Sequence, residues 1–171
     1  MAIFLSGIGS PRARSSSDVY LLDTNILSAG SPSVKLGFAD LADWIDQASD
    51  GLFLSTITVA EIVAGIEKTE RKGATRKATI LREWWETVEH IYADRILPFD
   101  IKAARIAGKL SDLARGRGFD PGFADIAIAA TAHINALTIL TRNVRDFMPL
   151  DVAFIDPYEG LPPLPDLRPT L

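Results

Sequence analysis

Three acidic residues in this chain stand at the end of, or inside, stretches otherwise fit for a protein core. Asp23 follows the apolar run Val19-Tyr20-Leu21-Leu22, and Glu61 closes Ser55-Thr56-Ile57-Thr58-Val59-Ala60. Asp125 lies within Phe123-Ala124-Asp125-Ile126-Ala127-Ile128-Ala129-Ala130-Thr131-Ala132. A fourth polar stretch, Thr141-Arg142-Asn143-Val144-Arg145-Asp146-Phe147, follows Leu137-Thr138-Ile139-Leu140. With Asn143 or Asp146 added, the three acids make an oxygen-only set. The chain has no cysteine and 2 histidines, and His133 sits in an alanine-rich segment where a core role is expected. Oxygen donors suit hard cations such as Mg²⁺ or Mn²⁺ rather than zinc. Such ions turn bound water into a nucleophile and hold the departing oxygen of a phosphodiester, a substrate that bare carboxylates would repel. The chemistry implied is metal-dependent cleavage of nucleic acid.

Each position also has a structural job that competes with this reading. Asp23 is a good helix N-cap after a strand. Thr58-x-x-Glu61 has the spacing of a capping box, in which the carboxylate would fold back on its own backbone. If it does not, Glu61 faces a groove beside the small residues Ala64 and Gly65. Asp125 has Ile128, Ala129 and Ala132 at helical spacing, none able to pair a charge, so it must meet a cation, a donor or a proton. Asn143 fits a turn leaving a strand. Equally, Asn143 or Asp146 would stand beside Asp23 if both follow parallel strands at one sheet edge, with Thr141 and Arg142 free to contact a phosphate.

The elements that must position these residues follow from apolar spacing. A continuous apolar run such as 19–22 reads as a strand buried on both faces, and an acid at its carboxyl end sits where open α/β sheets place ligands. A short helix over 24–28 is expected to break at Gly30 and Pro32. Phe38, Leu41, Trp44, Ile45 and Ala48 then predict a helix to about Ser49, and Leu52 to Ser55 a second strand. Thr58 is expected to start a helix with the stripe Val59, Ile62, Val63 and Ile66. After the charged stretch Lys68 to Lys77, a long helix carries Leu81, Trp84, Trp85, Val88 and Ile91. Ile96 to Phe99 reads as a third strand and Ile101 to Ala114 as a helix. Asp120-Pro121 is expected to cap a helix to about Ala136. Strands at 137–140 and 152–155 complete the pattern. Helices alternating with short apolar strands imply a three-layer α/β/α sandwich around a mainly parallel central sheet.

With 171 residues, 47% hydrophobic and 23% charged, the chain has the composition of one soluble globular domain. The expected division is a leader at 1–18 outside the fold, a domain at 19–157 and a proline-rich tail at 158–171. Without cysteine there is no disulfide framework, thiolate metal site or cysteine nucleophile, which fits a cytoplasmic protein. The first five residues are apolar but too few for a signal sequence, and 126–140 falls short of a membrane span. A net charge of −4 does not advertise a general nucleic-acid coat, so bound cations and local arginines would have to supply the positive field.

Leu21-Leu22-Asp23-Thr24-Asn25, Ser55 to Glu61, Ala124 to Ala132 and Thr141-Arg142-Asn143 together resemble the PIN-domain family. The closest likeness is to VapC-type toxins, including the branch related to FitB, over about residues 19–157. The resemblance implies a Mg²⁺-dependent endoribonuclease (Mn²⁺ being an alternative ion), with catalytic and metal positions at Asp23, Glu61 and Asp125. The family's fourth position, often Asp, falls on Asn143, a neutral and weaker ligand, so Asp146 is a substitute. Firm metal contacts are then expected from Asp23 and Asp125, with Glu61 and Asn143 acting partly through water. The resemblance also implies a VapB-like antitoxin whose tail occupies the toxin's groove, and a homodimer, or a heterotetramer or larger with antitoxin. Leu81, Trp84, Trp85 and Val88 suit either such an interface or the core. Arg71, Lys72, Arg76 and Lys77 suit either RNA tracking or a solvated face. A different class, a PIN-fold binding module with an impaired metal site acting through protein or DNA contacts, stays open because of Asn143. A phosphatase using Asp23 as nucleophile lacks the second acid two residues later.

Overall fold

The structure, a computed structural model, describes residues 19–34 and 39–165. The leader at 1–18, Phe38 and the end of the tail lie outside the described residues. Among the described residues five short strands form the sheet: β1 (Tyr20–Leu22), β2 (Leu52–Ser55), β3 (Ile96–Leu97), β4 (Thr138–Leu140) and β5 (Phe154–Ile155). Their order is β3-β2-β1-β4-β5, and every pairing is parallel. Among the described residues seven α-helices accompany them: α1 (Thr24–Ala29), α2 (Ala39–Ala48), α3 (Thr56–Arg71), α4 (Thr75–Ile91), α5 (Ile101–Gly116), α6 (Phe123–Ile134) and α7 (Val144–Phe147).

The alternation of a strand builds the three layers. In β1, Tyr20 and Leu22 point into one core, with Trp44 of α2, Ile62 and Ile66 of α3, and Trp85 and Val88 of α4. Leu21 points into the other, with Ala103 and Ala107 of α5, Ile128 and Ala132 of α6, and Phe147 of α7. Because both faces of β1 are covered, all three of its residues are buried, as expected of a central parallel strand.

Two helix starts differ from the sequence expectation. The third helix begins at Thr56, because Ser55 is the cap and its Oγ accepts the Thr58 N–H at 3.0 Å. Thr58 is therefore inside the first turn, buried, with its hydroxyl 3.0 Å from Ser55 Oγ. The sixth helix is capped by Gly122, not by Asp120-Pro121. In both cases the hydroxyl or carboxylate that matches a cap by spacing lost to the residue whose backbone is extended at the strand or loop exit.

The tail runs back over the first core. Trp44 Nε1 donates to the Pro162 carbonyl at 2.8 Å, and the Tyr20 hydroxyl donates to the Pro163 carbonyl at 2.9 Å. Tyr20 and Trp44 meet edge to face with centroids 5.6 Å apart. Pro162 and Pro163 thus hold this part of the tail against the first core. Among the described residues no helix is long and apolar enough to cross a membrane.

Candidate active site

Strand order places the site. From β1 the chain steps to β2 and β3 on one side, and only later to β4 and β5 on the other. The change of direction falls between β1 and β4, where parallel α/β sheets open a crevice beyond the strands' carboxyl ends. Asp23 leaves β1 there, its N–H donating to the Leu140 carbonyl of β4 at 3.0 Å.

Asp23 is both helix cap and site carboxylate. Its Oδ1 accepts the Thr24 N–H at 2.7 Å, while its Oδ2 accepts Asn25 Nδ2 at 2.6 Å and the Thr141 hydroxyl at 2.7 Å. Only 4% of the residue is exposed. Burial pushes its carboxyl above the usual range; the Thr141 and Thr24 hydrogen bonds oppose this, and the charge of Glu61 adds to it. Burial disfavours the charged form and donors favour it, and burial wins here.

Thr141 is fully buried, and its hydroxyl does three things at once. Besides donating to Asp23, it accepts Asn25 Nδ2 at 3.2 Å and the Asn143 N–H at 2.8 Å. That saturates it, so the expectation that Thr141 meets a phosphate is corrected: it is a strut between β1 and the β4–α7 turn. Arg142 alone remains exposed, its backbone N–H donating to Asn25 Oδ1 at 3.2 Å. Its guanidinium lies over the Tyr158 ring, 4.4 Å from the centroid, a stacking that orients the planar fork.

Glu61 is exposed on α3 and does not cap its helix; instead its Oε2 accepts the Thr24 hydroxyl at 2.5 Å. The capping-box reading is thereby corrected. Asp125, in the first turn of α6, is half-buried. Its Oδ1 accepts Asn143 Nδ2 at 3.3 Å. Its carboxyl is raised from 3.8 to about 6, first by burial, then by the charges of Asp23, Asp146 and, more weakly, Glu61, with Asn143 opposing. Asp125 therefore feels the charges of Asp23, Asp146 and Glu61, and Asp23 that of Glu61. Asn143 meets Asp125 rather than Asp23, as an amide donor that leaves its own carbonyl oxygen available.

The donor set fits a hard cation in kind: the carboxylates repel one another and no lysine or arginine forms an ion pair with them among the described residues. A dication between them would offset that repulsion. Among the described residues no three acids or imidazoles stand grouped as round a bound ion. Asp23, Glu61 and Asp125 are instead each held by a donor of their own.

Three contributors lie outside the set that the sequence marks as site residues. Thr24 holds Glu61, and Asn25 ties Asp23, Thr141 and Arg142 together; both belong to the Leu21-to-Asn25 motif, in which Asp23 alone is marked. Gly122 is the third: a Cβ there would come within 3.1 Å of Asp125 Oδ2, so the missing side chain leaves that carboxylate room.

A fold of this topology, with acids at the ends of β1, in α3 and at the start of α6, is that of a PIN domain, and the PIN domain family matches residues 20–149. The chain belongs to that family. It is 34% identical over 142 residues to Toxin FitB of Neisseria gonorrhoeae, spanning 82% of this chain and 99% of the relative. It is 36% identical over 143 residues to VapC ribonuclease Y4jK of Sinorhizobium fredii, spanning 82% and 99%. The crystal structure of FitAcB from Neisseria gonorrhoeae superimposes with a TM-score of 0.71 at 34% identity, covering 82% of this chain and 99% of that one.

Proposed function

We propose that this chain is a Mg²⁺-dependent endoribonuclease, the toxin half of a toxin–antitoxin pair. The observation that carries the reading is the hydrogen-bonded chain that links Asp23, through the Thr141 hydroxyl and Asn143, to Asp125, 102 positions away by number. Two acids linked in this way, with no ion pair to a basic side chain among the described residues, suit a site built for a cation. Relatives named as a toxin and as a ribonuclease support the same reading.

Asp23 and Asp125 would hold the ion, with Glu61 and Asn143 reaching it in part through water. When bound, it would supply a water of lowered pKa and neutralise charge on the phosphodiester. The chain's own residues do the rest. Thr141 and Asn25 fix the Asp23 carboxylate in one orientation, and Asn143 does the same for Asp125. Arg142, stacked on Tyr158, offers a planar fork for a backbone phosphate.

An antitoxin segment has a surface to occupy. A groove of about 450 Å³ runs between α1, α2 and α4, its walls including Ile26, Leu41, Ile45 and Trp84, and Arg142 and Tyr158 also line it. An amphipathic segment laid there would reach the phosphate-facing arginine, which is how one partner could both bind and inhibit. Trp85 and Val88 are buried in this chain's own core, which leaves only Leu81 and Trp84 of that set partly exposed for a partner.

The test is RNA cleavage by the purified chain with Mg²⁺ or Mn²⁺. Asp23→Asn and Asp125→Asn should each abolish cleavage with the fold intact by circular dichroism. Full activity in either variant refutes the site. The absence of both saturable Mn²⁺ binding and RNA turnover would instead favour a PIN-fold binding module with an impaired metal site.

A further inference from the structure

Tyr158 stands three residues beyond β5 and outside the stretch that matches the PIN domain family, which ends at 149. The chain is fixed on both sides of it. Upstream, the Ile155 carbonyl accepts the Thr141 N–H at 3.0 Å, the Asp156 carboxylate accepts the Tyr158 N–H at 2.9 Å, and Pro157 is buried. Downstream, Trp44 and Tyr20 hold the Pro162 and Pro163 carbonyls. The half-buried ring itself packs against the first core. A tail tied at both ends carries that ring in one place.

Arg142 is held at its root and at its tip. At the root, its N–H donates to Asn25 Oδ1 at 3.2 Å, and Asn25 Nδ2 donates to Asp23 Oδ2 at 2.6 Å, so a single side chain joins it to a site carboxylate. At the tip, the guanidinium lies 4.4 Å from the Tyr158 ring centroid. Arg142 is exposed and forms no ion pair among the described residues. The side chain runs to Tyr158 rather than pairing with Asp23, which sets its tip apart from the carboxylates. A net charge of −4 leaves a phosphodiester in need of such a local cation. An arginine ordinarily loses rotamer freedom when it takes an anion, and one already laid on a ring has lost much of it beforehand.

We propose that Tyr158 is a positioning residue for RNA binding, holding Arg142 ready for the backbone phosphate next to the cleaved one. The tail is then part of the substrate-binding surface and not only a cover for the first core. This rests on the ribonuclease reading and deepens it by giving the flanking phosphate its own contact. A guanidinium stacked through its face keeps the N–H groups of its edge for phosphate oxygens, which is the geometry a two-pronged contact needs.

The experiment uses the full chain with Mg²⁺ and short fluorogenic oligoribonucleotides in which one phosphate at a time is replaced by an uncharged methylphosphonate. Each replacement is carried on a 2′-O-methyl nucleotide and compared with a phosphate on the same sugar. The wild type should show a raised KM for one methylphosphonate beside the cleavage position. Arg142→Ala should raise KM on the unmodified oligonucleotide, lower the slope of log KM against log salt by about 1, and be indifferent to that methylphosphonate. Tyr158→Leu should raise KM about two- to five-fold with kcat little changed, and should add nothing in the Arg142→Ala background. Tyr158→Phe keeps the ring and should keep the discrimination. Arg142→Lys keeps the charge and leaves the packed ring untouched, so it decides the question even if Tyr158→Leu does not fold. It should also raise KM, because an ammonium lacks the planar fork. The proposal is overturned if Tyr158→Leu raises KM equally with and without Arg142, or if Arg142→Lys binds RNA as the wild type does. It is also overturned if no flanking methylphosphonate weakens the wild type, which would leave the pair to a partner's carboxylate. A wild type that cuts no RNA refutes the underlying reading instead.

Discussion

Replacing Asp125 by asparagine should stabilise the metal-free protein at neutral pH while removing its activity. In the folded chain the Asp125 carboxyl is raised from 3.8 to about 6, chiefly by burial and by the charges of Asp23 and Asp146. A group with a raised folded pKa binds its proton more tightly when folded, so its contribution is fully present below about pH 4. It is lost as pH rises through about 6. A difference of about 2 in pKa, at ~1.36 kcal/mol each, sets an upper bound of about 3 kcal/mol. Asp125 is half-buried, and solvent screening reduces this to about 1–2 kcal/mol. Asparagine keeps an oxygen for the Asn143 amide and carries no charge. For a chain of 171 residues, the variant's thermal midpoint at pH 7 in a chelator should exceed the wild type's by roughly 2–8 °C. Midpoints of both proteins from pH 4 to 8 check this, because titrations of other groups largely cancel in the difference. The advantage should vanish near pH 4, and Mn²⁺ should raise the wild-type midpoint more than the variant's. A variant no more stable at pH 7, or an advantage that does not change with pH, would refute the account of Asp125 as a repelled anion.

Two further outcomes follow from particular contacts. Thr141→Val removes the hydroxyl that serves Asp23, Asn25 and the Asn143 N–H. It should cost about 1–3 kcal/mol by chemical denaturation and cut RNA cleavage at least ten-fold, whereas Thr141→Ser should retain most of both. Trp44→Phe keeps the ring against Tyr20 but loses the 2.8 Å bond to Pro162. It should cost about 1 kcal/mol and speed proteolysis of the tail, as read by mass spectrometry of the clipped ends.

Much of this protein was determined by local rules that a chain carries in its order of residues. Continuous apolar runs of strand length demand cover on both faces, so 19–22 and 137–140 imply a parallel sheet between helical layers. An acid in an alanine- and isoleucine-rich helix must find compensation beyond its own helix, which marked Asp125. Family motifs in the right order did the same for Asp23 and Glu61. The pairing of donors and acceptors was decided only by the tertiary structure. Whether Ser55 or Thr58 caps α3 depends on which residue is still extended when the helix begins, and that in turn released Glu61 to meet Thr24. Thr141 and Arg142, the two residues that follow β4, are neighbours of opposite fate, one spent inside on Asp23 and the other left outside on Tyr158. Spacing along a chain encodes periodicity and propensity, but which polar group meets which is settled by how the helices cross the sheet edge.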